Sequence, residues 1–215
     1  MIQRHPSRRS APLALPRCWL FSDERLETDV ALLAALLPPG SGIVVRHDGM
    51  PRGARWRLVR RLVRIARSRG LTILLAAPPD VARRWGADGV HLRQYQARDA
   101  ARACKMGLPV TLPVHDAAEA RRARRVGAQA AFISPLHPTR SHPGAPALGT
   151  AAWLRLARIA GAQPVALGGM TAARARRLSH AAMGSDILPG WAAIDAWQEK
   201  AAKRLARQKR NCVPT

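Results

Sequence analysis

Short apolar runs alternate with amphipathic segments along almost the whole chain. The runs are WLFS (19–22), GIVVRH (42–47), LTILLA (71–76), GVHL (89–92), LPVTLPVH (108–115), QAAFIS (129–134) and PVALGG (164–169). Runs this short, rich in β-branched residues and bounded by Gly, Pro or polar turns, predict strands buried on both faces. Helices are expected between them. An Ala/Leu segment spans 28–37 and is closed by Pro38-Pro39-Gly40. In 52–69, Trp56, Leu58, Val59, Leu62, Val63 and Ile65 recur at helical period, which leaves the arginines on the wet face. Shorter helices are expected over 79–85 and 99–106. Asp116 with Glu119 has capping-box spacing for a helix to Val126. Thr150 caps a helix to Ala160, and Thr171 caps one to His180. The eighth strand is placed within Ser185–Leu188, with Trp191–Arg207 as the closing helix.

Eight βα units in roughly 200 residues describe a closed parallel barrel, a single-domain α/β (β/α)₈ TIM barrel over residues 18–198. An open doubly wound sheet should carry a glycine-rich turn after its first strand, and FSDERLETD has no glycine. Residues 1–17 are expected to be a flexible N-terminal segment, and 199–215 a basic tail to which no function is attached.

Composition supports a packed domain: 47% of the 215 residues are hydrophobic. Aromatics make up 4%, so the core is expected to be mainly Leu, Ala, Val and Ile. The formal charge of +23 is nearly all arginine, since lysine occurs only at 105, 200, 203 and 209. Such a surface attracts polyanions non-specifically, yet zinc-finger spacing and aromatic-interleaved basic strands are both missing. No specific nucleic-acid partner is expected. Cys18, Cys104 and Cys212 have neither metal-ligand nor redox-motif spacing, which fits a reducing cytoplasm. The apolar stretch near the start is interrupted by Pro12 and Pro16, which argues against export. No run approaches the ~18 apolar residues of a membrane span.

Several segments resemble the thiamine phosphate synthase/TenI family. WGADGVHLRQ (85–94) is similar to that family's LGADGVHLGQ. SPLHPTRSHPGAPALG (134–149) is similar to its long loop after the sixth strand, PVALGGMT (164–171) to its PVVAIGGIT, and LFSDERL (20–26) to its opening LITDR. The matches keep their order from about Trp19 to Trp197. The resemblance implies an active site at the carboxyl ends of the strands. In the synthases a magnesium-bound pyrimidine diphosphate loses pyrophosphate, and a thiazole phosphate captures the carbocation. TenI relatives isomerise the thiazole ring or have no settled role.

Residue by residue, the resemblance implies a phosphate grip kept in part and a metal site lost. Gly168 and Gly169 precede a helix N-terminus, where backbone N–H groups favour an anion. Two glycines making a tight turn is the plain alternative. Thr139 and Ser141 keep hydroxyls in the long loop beside Ser134, and the family's Lys there becomes His142, with Arg140 adjacent. The serine of its VISA-like segment aligns with Asp195, a carboxylate that would repel phosphate unless turned away. Where the synthases carry Asn-Asp there are Ala76 and Ala77, and the later acidic position is Gln96. Magnesium wants hard oxygen ligands, so no metal or other cofactor is expected unless the chain acts as a synthase. Asp80 more readily faces its helix than a cation. Of the QLREK stretch only Arg46 survives, with Val44 and Asp48 replacing the Gln and Lys.

His115 ends the fifth strand in a segment similar to the family's SVH. An imidazole there has the pKa range to shuttle a proton, with Asp116 as a neighbour; the alternative is a histidine bonded to a nearby loop. His91, inside a strand, reads as a satisfied core histidine. These readings favour an enzyme of thiamine metabolism that binds a thiazole phosphate or related phosphorylated heterocycle and works by proton transfer. A divergent synthase and a non-catalytic binder remain open, as does a homo-oligomer.

Overall fold

The computed structural model describes residues 14–22, 24–139, 144 and 146–211. Its strands are β1 (Cys18–Ser22), β2 (Gly42–Val45), β3 (Thr72–Leu75), β4 (Gly89–His91), β5 (Val110–Val114), β6 (Ala130–Ile133), β7 (Gln163–Ala166) and β8 (Gly190–Ala193). The helices are α1 (Val30–Leu36), α2 (Arg52–Arg69), α3 (Pro79–Trp85), α4 (Ala100–Lys105), α5 (Ala117–Arg125), α6 (Gly149–Ala160), α7 (Ala172–Ala181) and α8 (Asp195–Asn211), with a 3₁₀ turn over Gln94–Asp99. All pairings are parallel and sequential, and β8 returns to β1, so the sheet closes into a barrel.

Alternation along each strand separates two cores. Outward residues such as Leu20, Ile43, Ile73, Val110, Leu112 and Ile133 pack under the helices against Leu33, Val59, Leu62 and Trp153. Inward residues Trp19, Phe21, Val44, Leu74, Phe132 and Val165 fill the barrel. The outer layer is aliphatic as composition implies, whereas the inner plug is aromatic. Trp19 meets Phe132 edge-on at 5.5 Å, and Phe21 meets Phe132 at 4.9 Å. Room for the indole comes from Gly42, which pairs with Trp19 across β1 and β2. A Cβ at Gly42 would stand 2.1 Å from Trp19 ring carbons.

His91 completes the plug as a core residue. Its Nδ1 lies 2.9 Å from Thr111 Oγ1, and its ring packs edge-on against Phe21 and Phe132. Burial, reinforced by the charges of Arg46 and Arg93, pushes its pKa down to about 3.

Four local expectations are corrected. The eighth strand is Gly190–Ala193, while 185–188 is irregular, with Leu188 exposed. GWAA has little intrinsic strand character; it is recruited by pairing with β1 and β7 and by the Trp191 N–H donating to Arg17 O at 2.7 Å. The closing helix therefore starts at Asp195, not Trp191, and runs unbroken through the basic stretch to Asn211. Thr150 does not cap α6, which begins at Gly149 behind Leu148 without a side-chain cap. Trp56 lies outside the buried stripe of α2 (Val59, Leu62, Val63, Ala66) and is 44% exposed. Thr171 does cap α7, accepting from Arg174 N at 3.2 Å. Among the described residues no helix is long and apolar enough to cross a membrane.

Two outcomes follow from the plug. Gly42→Ala should overpack Trp19 and lower stability by about 1–3 kcal/mol, read by denaturant unfolding. His91 makes stability pH-dependent. Its folded pKa lies below the unfolded value of ~6.5, so the native state binds fewer protons. Its contribution is intact above pH ~6.5 and is lost as pH falls from there toward 3, by about 1.4 kcal/mol per pH unit. Melts of His91→Gln should show a shallower slope than the wild type in that window; equal slopes would exclude His91 as the source.

Candidate functional site

The inward register that fills the barrel also decides which side chains crown it. Continuing the alternation one step beyond each strand brings Arg46 after β2, Ala76 after β3, Arg93 after β4, His115 after β5, Ser134 after β6, Leu167 after β7 and Ile194 after β8 to the mouth. These positions lie at the carboxyl ends of the strands, where barrel enzymes build their sites. A cavity of about 300 Å³ opens there, lined by Arg46, His115, Ser134, Thr139, Gly168 and Gly169, together with Phe21, Arg25, Met170, Ile194 and Asp195. Six sequence-selected residues thus meet in one space. Ser141, like Arg140 and His142, lies outside the described residues.

His115 is held from one side. Glu119, one helical turn along, accepts from His115 N at 2.7 Å and lies 2.8 Å from His115 Nδ1. Asp116 is not its partner, because that carboxylate caps α5 by accepting from Glu119 N at 2.8 Å. The expected capping box is therefore half made: its return arm goes to His115 instead of the cap residue. An Nδ1–H donated to the carboxylate fixes the tautomer and leaves Nε2 as the acceptor.

Across the cavity, Gly168 and Gly169 have φ of 96° and 59°. Their missing side chains serve the neighbouring loop and not the cavity. A Cβ on Gly168 would stand 2.8 Å from Pro135 Cα, and one on Gly169 would stand 2.6 Å from Pro138 O. The peptide planes matter more. Gly168 O accepts from His137 N at 3.2 Å, and Gly169 O accepts from Arg174 Nη1. In a trans peptide the following N–H points the opposite way, so the amides of Gly169 and Met170 face away from the loop. Neither donates to a described residue. His137 is pushed below its ordinary pKa by burial and by Arg174.

The β3–β4 side has a different character. Asp48 pairs with Arg55 at 3.3 Å and, closely, with Arg93. Arg55 also donates to Ala76 O at 2.8 Å. Asp80 faces Arg102 at 2.6 Å in the helix layer. Among the described residues no group of three His, Cys, Asp or Glu could hold a metal ion. The donors at Ala76, Ala77 and Gln96 do not fit a magnesium ion, since the Ala76 carbonyl is already taken by a cation.

Sequence reasoning missed Glu119 as the partner of His115, although its i,i+4 spacing was visible. It also missed Arg25, Arg55 and Arg93. Arg55 gave no signal, being one arginine among many on α2; Arg93 falls in the inward register once the ends of β4 are known.

Comparison with known proteins identifies the family. A family model described as thiamine monophosphate synthase matches residues 18–186. The thiamine-phosphate synthase of Chromobacterium violaceum is 32% identical over 162 residues, covering 74% of this chain and 77% of that protein. Among solved structures, a thiamine phosphate pyrophosphorylase from Pyrococcus furiosus superposes with a TM-score of 0.68 at 20% identity, over 87% of this chain and 96% of that one. The YdjI aldolase of Escherichia coli K12 superposes at 0.63 with 11% identity, over 94% and 83%, a likeness of fold alone. With most of its length matched by the family model and a relative of this identity, the chain belongs to the thiamine monophosphate synthase/TenI family.

Proposed function

We propose that this protein binds a thiazole phosphate, or a similar phosphorylated heterocycle, at the barrel mouth and moves a proton on the ring with His115. The observation that carries the reading is the His115–Glu119 pair at the cavity edge, with Nδ1 held and Nε2 left for chemistry. In the step, Nε2 takes a proton from a ring carbon while Glu119 steadies the imidazolium. The same nitrogen returns the proton to another ring atom, so the ligand is isomerised and nothing is consumed. The outward-facing amides of Gly169 and Met170, with Arg46, Ser134 and Thr139 around them, support an anion grip on the other wall. Ser141 would join that grip from the same loop. No metal enters this chemistry, no specific nucleic-acid partner is needed, and a cytoplasmic setting suits free Cys18 and Cys104.

A second reading, transfer of a pyrimidine from its diphosphate to the thiazole phosphate, is favoured by the identity to a thiamine-phosphate synthase. Incubating the purified protein with both synthase substrates, and separately with the thiazole phosphate tautomer, with and without magnesium, tests the two together. Magnesium-dependent coupling would establish the synthase, metal-independent isomerisation the tautomerase, and binding without turnover a ligand-binding relative.

The roles divide cleanly between variants. His115→Asn should cut isomerisation by about a hundredfold or more while leaving thiazole phosphate binding intact. Glu119→Gln should give a smaller loss of turnover, because the imidazole loses the carboxylate that holds Nδ1. Undiminished turnover in His115→Asn would exclude its catalytic part. Arg46→Gln should weaken thiazole phosphate binding about tenfold by calorimetry, the scale of one charge-assisted contact. It is a cleaner probe than Gly168→Val, which would collide with Pro135 whatever the ligand.

A further inference from the structure

We propose that the guanidiniums of Arg55 and Arg93, tied together by Asp48, close the β3–β4 side of the mouth to a divalent cation. The inference stands on geometry and does not depend on the tautomerase reading. At the end of β3 the crown carries only the short side chain of Ala76. Arg55 reaches the backbone there from α2, a helix whose other arginines are mostly exposed, and its side chain is 13% accessible. Its Nη2 donates to Ala76 O at 2.8 Å, and its buried Nε has no hydrogen-bond partner. Such a placement is expensive for a cation and is held by Asp48, 3.3 Å away.

Arg93 approaches Asp48 from β4 with its other nitrogen on Tyr95 Oη at 3.3 Å. The cluster sets two guanidiniums on the Asp48 carboxylate, so the positive charge on this side is carried by covalently fixed groups and not by a dissociable ion. A metal ion entering here would meet both guanidiniums, and the oxygens it needs, Ala76 O and Asp48, are already engaged. Glu24, the other carboxylate facing Arg55, accepts from Gly49 N at 2.7 Å. The family's metal-side positions have therefore been rebuilt as an arginine–carboxylate–arginine clamp that excludes metal.

The test is Mn²⁺ binding to the metal-stripped full chain, followed through the paramagnetic resonance of free Mn²⁺. The wild type is expected to show no site at millimolar concentrations. Arg55→Met with Arg93→Met frees Asp48 and Ala76 O, and should bind Mn²⁺ about tenfold or more tightly than the wild type. Adding Asp48→Asn to that pair should cancel the gain. Arg93→Gln alone, at a half-exposed side chain, should shift binding the same way without disturbing buried Arg55. Circular dichroism confirms that each variant is folded. Micromolar Mn²⁺ binding by the wild type would overturn the proposal, as would folded arginine variants that gain nothing.

Discussion

Closing eight parallel strands on one another creates an interior that only inward side chains can fill, and the rest of this molecule depends on how they do so. Three aromatics and a histidine, with Val44, Leu74 and Val165, occupy the space, and the small residues Gly42 and Ala192 flank Trp19 on the neighbouring strands. Interlocked edge-on rings leave little freedom to slide, and a one-residue slip would turn every inward side chain outward. The register that seats Trp19 over Gly42 is thereby the register that aims Arg46, Arg93, His115 and Ser134 at the mouth. Core packing and site geometry are one constraint expressed at two heights of the barrel.

Above the plug, groups at the mouth are oriented by neighbours that do not themselves line the cavity. Glu119 lies in the first turn of α5, where a carboxylate suits the helix dipole, and from there it holds His115. His137 and Arg174 hold the carbonyls of Gly168 and Gly169, so the amides beyond them turn the other way. The glycines are needed because the long loop after β6 lies against them and because their φ values are positive. A turn forced by packing and an amide pair that faces a cavity are the same feature here.

The mouth is uneven in its chemistry. Its β5–β8 side combines an imidazole, a hydroxyl and backbone amides around the cavity. Its β2–β4 side is filled by paired charges. Family membership and this charge-paired side are compatible, because barrel enzymes vary their chemistry at strand ends and loops while the plug below keeps the fold.

What the sequence by itself determined was the periodic part. Short β-branched runs separated by helical stripes define the first seven βα units, and GADGVHL and ALGGMT mark the family. The strand-end positions of Arg46, His115 and Ser134 follow from alternation, which is local physics. Tertiary structure decided what local patterns do not encode. GWAA became the eighth strand because β1 and β7 needed an edge to pair with. Trp56 left the apolar stripe because the surface facing α2 ended short of it. Arg55 looks like every other arginine on its helix; only the Ala76 carbonyl and the carboxylate of Asp48 distinguish it. Long-range burial and pairing set these outcomes, and they exist only once the barrel has closed.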